Sequence, residues 1–284
     1  MRLRVSHITR YRYDQPVFLE PHTFRLLPRS GGGQRVLELE LKITPRPAGS
    51  TESLDASNNT VRYAWFEDKT ASLVVESAFA VETLRSNPFD FVLPDLAAAT
   101  LPARYPEEVR ATLTPYCGAD GADASAYQFA KAVAVEVGWQ TIPFLAALNR
   151  KLHDSIEHVE REKGEPQSVA VTLETRRGAC RDLATAYAAT CRSMGLAARF
   201  VSGYELGAAL EDRAHMHAWA EVFVPGGGWR GFDPSRGLAV AESHIAVATG
   251  VTPRQAAPVT GSFRGSGVKA AMDFEIQVDE WMAT

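Results

Sequence analysis

The feature that most constrains the fold of this chain is a cysteine at the start of a predicted helix. Apolar residues follow Cys180 at a spacing close to 3.6, and the pattern ends at Gly195, which predicts a helix with a glycine stop. The apolar positions are Leu183, Tyr187, Cys191 and Met194. A thiol in a first turn lies near unpaired backbone N–H groups and the positive end of the helix dipole, and both favour the nucleophilic thiolate. Because Arg177 and Arg181 add positive charge nearby, the sequence predicts a reactive cysteine.

Three predicted strands follow this helix and carry two more polar groups. Residues 196–204 and 215–224 have the composition of strands, and 229–234 returns after a glycine-rich turn. The second strand contains His217 and the third contains Asp233. A cysteine, a histidine and an aspartate are the nucleophile, base and orienting carboxylate that thiol acyl transfer needs. The combination argues against the commoner role of a lone cysteine, which is a structural residue in the core.

The pairing of the second and third strands sets a geometric condition for this site. Side chains alternate along a strand, so His217 and Trp219 share one face. A two-residue turn would place Asp233 opposite Ala220, on the other face. A triad therefore requires an odd-length loop or a bulge within 225–228, and consecutive glycines make either one accessible. We predict that the structure contains one of them.

The segments around these residues resemble the core of the transglutaminase-like superfamily. They are GACRD at 178–182, AARFVSGY at 197–204, HAWAEV at 217–222 and GWRGFDP at 228–234. The resemblance implies a papain-like fold with a catalytic triad, in which Cys180 matches the nucleophile, His217 the histidine before Ala-Trp and Asp233 the aspartate before proline. The chain departs from the family beside the cysteine, where Ala179 replaces the usual valine and Arg181 the usual glutamine. This difference concerns the choice of substrate.

The first part of the chain, residues 1–85, is predicted to be an all-β sandwich domain. Short strands with turn signals between them are expected at 2–13, 36–43, 60–66 and 73–83. Residues 6–17 are similar to the N-terminal β-region that accompanies many bacterial transglutaminase-like cores. Together with the helices and strands around Cys180, this region predicts the α+β class: a sandwich followed by helices packed on an antiparallel sheet.

The rest of the chain divides into a linker and a catalytic core. The proline-rich residues 86–122 are predicted to be a linker with short helical pieces, and 123–284 to be the core with a C-terminal strand. Expected elements of the core are helices at 125–137, from Thr141 onward and at 244–248, and a late strand at 272–278. The sequence leaves open which sheet that strand joins. Within the second helical pattern, His153 and His158 are expected to be ordinary surface or boundary residues.

Charge and cysteine content limit the partners to expect. A net charge of −4 and a pI near 6.0 give no electrostatic reason for binding nucleic acid or an anionic membrane. Three cysteines are too few for a disulfide scaffold and fit a reducing compartment. Because the N-terminal residues lack an apolar signal region and no apolar run has membrane-spanning length, we expect a cytoplasmic protein. A peptide or protein substrate is expected, without cofactor or metal; the oligomeric state stays open.

Several functions are compatible with these residues. The leading hypothesis is a cysteine protease or amidase, in which the acyl-enzyme on Cys180 passes to water. The alternatives are a protein-glutamine transglutaminase with an amine acceptor, a non-catalytic module on the same fold, and a metal site. The metal site would use His215 and His217 with Cys180 or Asp233, since the His-x-His spacing places both rings on one strand face.

Two further expectations concern the surroundings of the nucleophile. The oxyanion formed during acyl transfer is expected at the backbone N–H of Cys180 and one further donor, for which Gln140 and Gln167 are considered without motif support. Asp182 is expected to be a first-turn acid that complements the helix dipole.

Overall fold

The computed structural model describes residues 1–94, 96–118, 124–161, 164–207 and 214–281. The α-helices in these ranges are α1 (Glu107–Cys117), α2 (Ala124–Glu136), α3 (Thr141–Ser155), α4 (Val169–Thr175) and α5 (Cys180–Ser193). Short 3-10 helices span Leu96–Ala98 and Pro253–Ala256. The strands of the first part of the chain are β1 (Arg2–Leu19), β2 (His22–Phe24), β3 (Gln34–Thr44), β4 (Gly49–Leu54), β5 (Thr60–Trp65) and β6 (Lys69–Thr83). Those of the remainder are β7 (Glu157–His158), β8 (Arg177–Gly178), β9 (Ala198–Glu205), β10 (His217–Val224), β11 (Gly228–Asp233), β12 (Leu238–Ala239), β13 (His244–Gly250), β14 (Val259–Thr260), β15 (Phe263–Arg264) and β16 (Ala270–Glu280).

The N-terminal region consists of two antiparallel sheets packed face to face. One sheet has the order β15-β1-β6-β3, with β16 also paired to β1, and the other has the order β14-β2-β5-β4. Leu19 and Val75 from the first sheet meet Phe24 and Ala64 from the second in one core cluster, and all four are fully buried. Burying the apolar faces of two sheets against each other is the stabilising principle of a sandwich. The predicted β-sandwich is thereby confirmed.

The late strand predicted at 272–278 belongs to this N-terminal sandwich. It is β16, and it pairs antiparallel with β1 from Leu3↔Glu280 to Tyr13↔Ala270. The two short strands before it also return to the sandwich, β14 to β2 and β15 to β1. The last part of the chain, which follows the core in sequence, therefore adds strands to both N-terminal sheets.

The core is a five-stranded antiparallel sheet of order β12-β11-β10-β9-β13 with helices packed on it. Helix α5 contacts β10 and β9, and Tyr187 and Cys191 of this helix are buried against α2, α3 and the sheet. The α+β class is thereby confirmed. The helix expected at 244–248 is wrong, because this segment is the edge strand β13, paired with β9. Its buried side chains Ile245 and Val247 pack against the N-terminal sandwich, so tertiary burial outweighs the local helical propensity of its alanines.

The core sheet and the sandwich meet through apolar and polar contacts. Leu3 and Phe79 of the sandwich share a buried cluster with Tyr204 and Ile245 of the core sheet. Within it the Tyr204 hydroxyl and His7 Nδ1 form a buried hydrogen bond of 2.6 Å. This contact holds the sandwich beside the end of β9, next to the site described below.

The described part of the predicted linker contains a helix, and the predicted core opens on two more. Helix α1 lies within 86–122, and α2 and α3 begin at Ala124 and Thr141, close to the predicted starts. The predicted boundary between 122 and 123 lies outside the described residues. Among the helices that are described, none combines the length and apolar character needed to cross a bilayer.

The position of β16 generates a stability prediction. Ile276 is buried between the sandwich and the core sheet, whereas its neighbour Gln277 is exposed. We expect Ile276→Ala to lower the free energy of unfolding by about 2 to 4 kcal/mol, because it removes buried methyl groups from packed surroundings. Urea denaturation measures the loss, with Gln277→Ala as the matched control. Equal effects of the two substitutions would show that β16 is not packed as described.

Candidate active site

The position of Cys180 is set by a tight approach of strand β8 to helix α5. A Cβ atom added to Gly178 would lie only 3.0 Å from Leu183 Cδ1 and 3.2 Å from Thr172 Cγ2, so a larger residue would push the strand away. Cys180 is the first residue of α5, and the first N–H groups of a helix have no partner within it. The thiol therefore lies at the positive end of the helix dipole, as predicted.

Asp182 does more than complement the dipole. Its carboxylate is buried and accepts hydrogen bonds from the backbone N–H of Ala179 at 2.8 Å and of Gln167 at 2.8 Å, and from the Arg161 guanidinium at 2.6 Å. The Gln167 side chain also donates to this carboxylate, at 3.2 Å. Asp182 therefore ties the segments that precede the nucleophile to the first turn of α5, and Gln167 is held there through its backbone N–H and its side-chain amide.

The β10–β11 hairpin has the odd-length loop that a triad requires. Val224 pairs with Gly228, which leaves three residues between them. Gly228 has a φ of 68°, a left-handed conformation that glycine adopts readily. Continuing this register places Asp233 opposite Trp219, on the face that also carries His217. The prediction of an odd loop is confirmed.

The structure brings the three predicted side chains together. His217 Nε2 donates to Asp233 Oδ2 over 2.6 Å, and both side chains are buried. The imidazole also makes a side-chain hydrogen bond with Cys180. Since Nε2 is used by the carboxylate, Nδ1 is the nitrogen available to the sulfur. The result is a continuous chain of hydrogen bonds from thiol to imidazole to carboxylate.

The three groups stabilise one another's charges. Burial would raise the pKa of the Cys180 thiol, but hydrogen bonds from His158 and His217 outweigh it and lower the pKa to about 6. Burial would lower the pKa of His217, but its hydrogen bonds to Asp233 and Cys180 raise it to about 10. Burial likewise opposes the charge of Asp233, yet its two histidine partners hold the pKa well below the usual range. A thiolate–imidazolium pair is therefore the favoured state near neutral pH.

A second histidine, His244, also binds the Asp233 carboxylate, and no sequence motif predicts this contact. His244 Nε2 donates to Asp233 Oδ2 over 3.1 Å, and its side chain is completely buried. The other oxygen, Oδ1, accepts from the Ser235 hydroxyl at 2.6 Å and from the Ser235 N–H at 3.0 Å. His244 reaches the carboxylate because β13 adds to the sheet edge beside β9, a long-range pairing that the helix expected there concealed.

His217, Asp233 and His244 also belong to a cluster that could hold a metal ion, as judged within the described ranges. Their potential ligand atoms lie within 4.8 Å of one another, and the four residues are Glu205, His217, Asp233 and His244. Neither His215 nor Cys180, which the predicted metal site includes, is among them. The His215 ring instead lies against Phe274, with 5.4 Å between centroids. Because Asp233 Oδ2 already accepts from both imidazoles, the hydrogen-bond network accounts for the cluster.

His158 is exposed, as expected of a surface residue, but it is also a neighbour of the nucleophile. Its imidazole makes a side-chain hydrogen bond with the Cys180 sulfur, although the residue is exposed. The reason is the parallel pairing of β7 with β8, which aligns His158 with Gly178. The sequence contains no local sign of this pairing, since the two strands are only two residues long each.

A cavity of about 650 Å³ lies beside the thiol and the imidazole. Its lining includes apolar side chains from the N-terminal sandwich, namely Tyr11, Met272, Phe274 and Ile276. It also includes charged residues of both signs, namely Glu160, Arg161, Glu165, Arg181, Arg236 and Arg254. The cavity can therefore hold a chain with an apolar side group and polar ends directly against the sulfur.

Comparison with known proteins agrees with this architecture. A cysteine at a helix tip that faces a histidine and an aspartate on neighbouring antiparallel strands is the arrangement of a transglutaminase-like core. Residues 127–234 match the family model described as the transglutaminase-like superfamily, and residues 3–82 match that of the bacterial transglutaminase-like N-terminal region. Residues 127–234 therefore have the sequence of a transglutaminase-like core, and residues 3–82 that of the bacterial N-terminal region named by the second family model.

Similar proteins align with this chain over nearly their whole length. Uncharacterized protein ML0607 of Mycobacterium leprae is 26% identical over 292 residues, which cover 98% of each chain. Uncharacterized protein Rv2569c of Mycobacterium tuberculosis is 27% identical over 296 residues, covering 98% of this chain and 92% of that protein. The crystal structure of a candidate cysteine protease from Cytophaga hutchinsonii superposes with a TM-score of 0.71 and 22% identity, over 100% of this chain and 92% of that one. At this identity the likeness concerns the fold.

The charge coupling in the site generates a pH prediction. We expect the rate of Cys180 alkylation by iodoacetamide to rise as pH passes through about 6, because the thiolate forms there. An ordinary cysteine reaches its midpoint near pH 8.5. Asp233→Asn should move the midpoint upward, because a His217 without its carboxylate partner holds positive charge less well. Identical profiles for the two proteins, both with the midpoint of a free thiol, would contradict the coupling.

Proposed function

We propose that the protein is a cysteine hydrolase that cleaves a peptide or amide bond through Cys180, His217 and Asp233. The observation that carries the proposal is the chain of hydrogen bonds from the Cys180 sulfur through His217 to the buried Asp233, at the wall of a cavity large enough for a peptide segment. The match of residues 127–234 to the transglutaminase-like superfamily supports thiol chemistry at this position.

In the first half of the reaction, the Cys180 thiolate would attack the carbonyl carbon of the bound substrate. A sulfur–carbon bond forms, and the electron pair of the carbonyl moves to oxygen. When the tetrahedral intermediate collapses, the carbon–nitrogen bond breaks, and the His217 imidazolium gives its proton to the departing amine. The products of this half are a free amine, a thioester on Cys180 and a neutral His217.

In the second half, neutral His217 would take a proton from a water molecule that attacks the thioester. The carbon–sulfur bond breaks, the acid leaves, and the thiolate–imidazolium pair is restored. Throughout both halves Asp233 would accept the His217 Nε2–H, which fixes the ring so that Nδ1 faces the sulfur. The hydrogen bonds on Asp233 Oδ1 keep the carboxylate itself from rotating.

The nucleophile assignment predicts a covalent intermediate on one cysteine. We expect incubation with p-nitrophenyl acetate to add one acetyl group to Cys180, seen by intact mass and peptide mapping, and Cys180→Ala to lower the acylation rate by about 10⁴-fold. Cys117→Ala is the matched control, since Cys117 is a free and partly exposed thiol outside the site. Acylation that persists in Cys180→Ala would refute the assignment.

The choice of water as acceptor is tested on the same intermediate. We expect a glutamine-containing peptide library to give carboxylic acid products in the presence of a millimolar lysine peptide, as read by mass spectrometry. Water can reach a thioester in an open cavity and needs no binding site of its own. A lysine acceptor needs a binding site that also accommodates its positive charge. If lysine-linked amides form faster than acids, the protein is a transglutaminase and hydrolysis is a side reaction.

A further inference from the structure

The Cys180 sulfur has a second imidazole partner that the triad does not use. His158 lies on β7, which pairs with β8 in parallel, and the Val159 N–H donates to the Gly178 carbonyl over 3.0 Å. These backbone contacts hold His158 beside the residues that lead into Cys180, and its ring makes a hydrogen bond with the sulfur. The residue is exposed and lines the cavity, so it can reach a bound substrate.

The triad leaves one requirement of acyl transfer unfilled. The negative charge that develops on the carbonyl oxygen needs at least two hydrogen-bond donors, and the backbone N–H at the start of α5 supplies one. The backbone N–H of Gln167 and one N–H of its side-chain amide are engaged by Asp182, and Gln167 is absent from the described residues that line the cavity. Gln140 is bridged to Thr100 and is absent from the described residues that line the cavity. The two glutamines considered from the sequence therefore do not serve the oxyanion.

We propose that His158 is the side-chain donor of the oxyanion hole. In the resting site its ring N–H donates to the thiolate sulfur. Once that sulfur has added to the carbonyl carbon, its charge has moved to the carbonyl oxygen, and the same N–H donates to that oxygen. His158 keeps its proton throughout, and the departing amine receives its proton from His217. This inference rests on the proposed function.

The surroundings of His158 favour a donor over a second base. A general base needs a partner that orients its ring, as Asp233 does for His217. The carboxylate nearest in sequence, Glu157, is paired instead with Arg177 at 3.0 Å. In the ranges that the structure describes, no carboxylate is paired with the His158 ring. An oxyanion donor requires only an N–H held at the right distance, which the β7–β8 pairing provides.

Two reactions of the Cys180 thiolate can show whether His158 donates to the oxyanion or only stabilises the thiolate. Alkylation by iodoacetamide displaces iodide and forms no oxyanion, whereas acylation by p-nitrophenyl acetate forms one. We expect His158→Ala to lower the acylation rate at its high-pH plateau by about 10²-fold while leaving the plateau alkylation rate nearly unchanged. His158→Gln, which keeps an N–H donor on a side chain of similar reach, should recover part of the acylation rate.

The control variant is Glu157→Gln, which alters the same short strand through its exposed pair with Arg177 and should leave both rates unchanged. Thermal unfolding of each variant checks that the fold is retained. Parallel losses of acylation and alkylation would overturn the inference, because His158 would then only stabilise the thiolate. Unchanged rates in His158→Ala would overturn it as well.

Failure of the proposed function gives a different result. In that case the wild-type protein itself is not acylated at Cys180, and the inference about His158 falls with it. When the wild type is acylated and Cys180→Ala is not, the function stands, and the His158 variants alone decide the inference.

Discussion

The buried hydrogen bond between His217 and Asp233 is the interaction on which the rest of the site depends. Asp233 is fully buried, and an isolated carboxylate cannot remain charged in such surroundings. It does so because two imidazoles and the Ser235 hydroxyl donate to it. The charge on His217 then stabilises the thiolate of Cys180, so negative, positive and negative groups follow one another. Removing one partner of such a buried pair destabilises a protein by about 3 to 5 kcal/mol, which couples the chemistry of the site to its folding.

The cavity depends on parts of the chain that lie far apart in sequence. Helix α5 and the core strands carry Cys180, His217 and Asp233, whereas Tyr11 on β1 and Phe274 on β16 line the same cavity from the sandwich. Strand β16 can line the cavity only because the chain returns to the sandwich after completing the core sheet. The residues that line the cavity are therefore shared between the core and the N-terminal region, whereas Cys180, His217 and Asp233 belong to the core alone.

Sequence reasoning succeeded where the information is local. The helix at Cys180 follows from the apolar period, and the odd hairpin loop follows from requiring His217 and Asp233 on one face. It failed where position depends on distant pairing. His244 looks helical until β9 offers an edge, and His158 looks like a surface residue until β8 lies beside it. Both histidines lie beside predicted site residues, His244 at Asp233 and His158 at Cys180, and neither pairing leaves a trace in the sequence near the histidine itself.

One of the two residues at which the chain departs from the transglutaminase-like pattern, Arg181, also acts near His158. Arg181, where the family usually has glutamine, donates through its guanidinium to the backbone carbonyl of Arg161, and Asp182 binds the guanidinium of the same Arg161. Two consecutive residues after the nucleophile therefore hold Arg161, which lies three positions beyond His158. The start of α5 is thereby tied to the segment that follows β7, the strand that carries His158. Since an oxyanion hole works only when its donors are preorganised, this bracing is what a side-chain donor on an exposed two-residue strand requires.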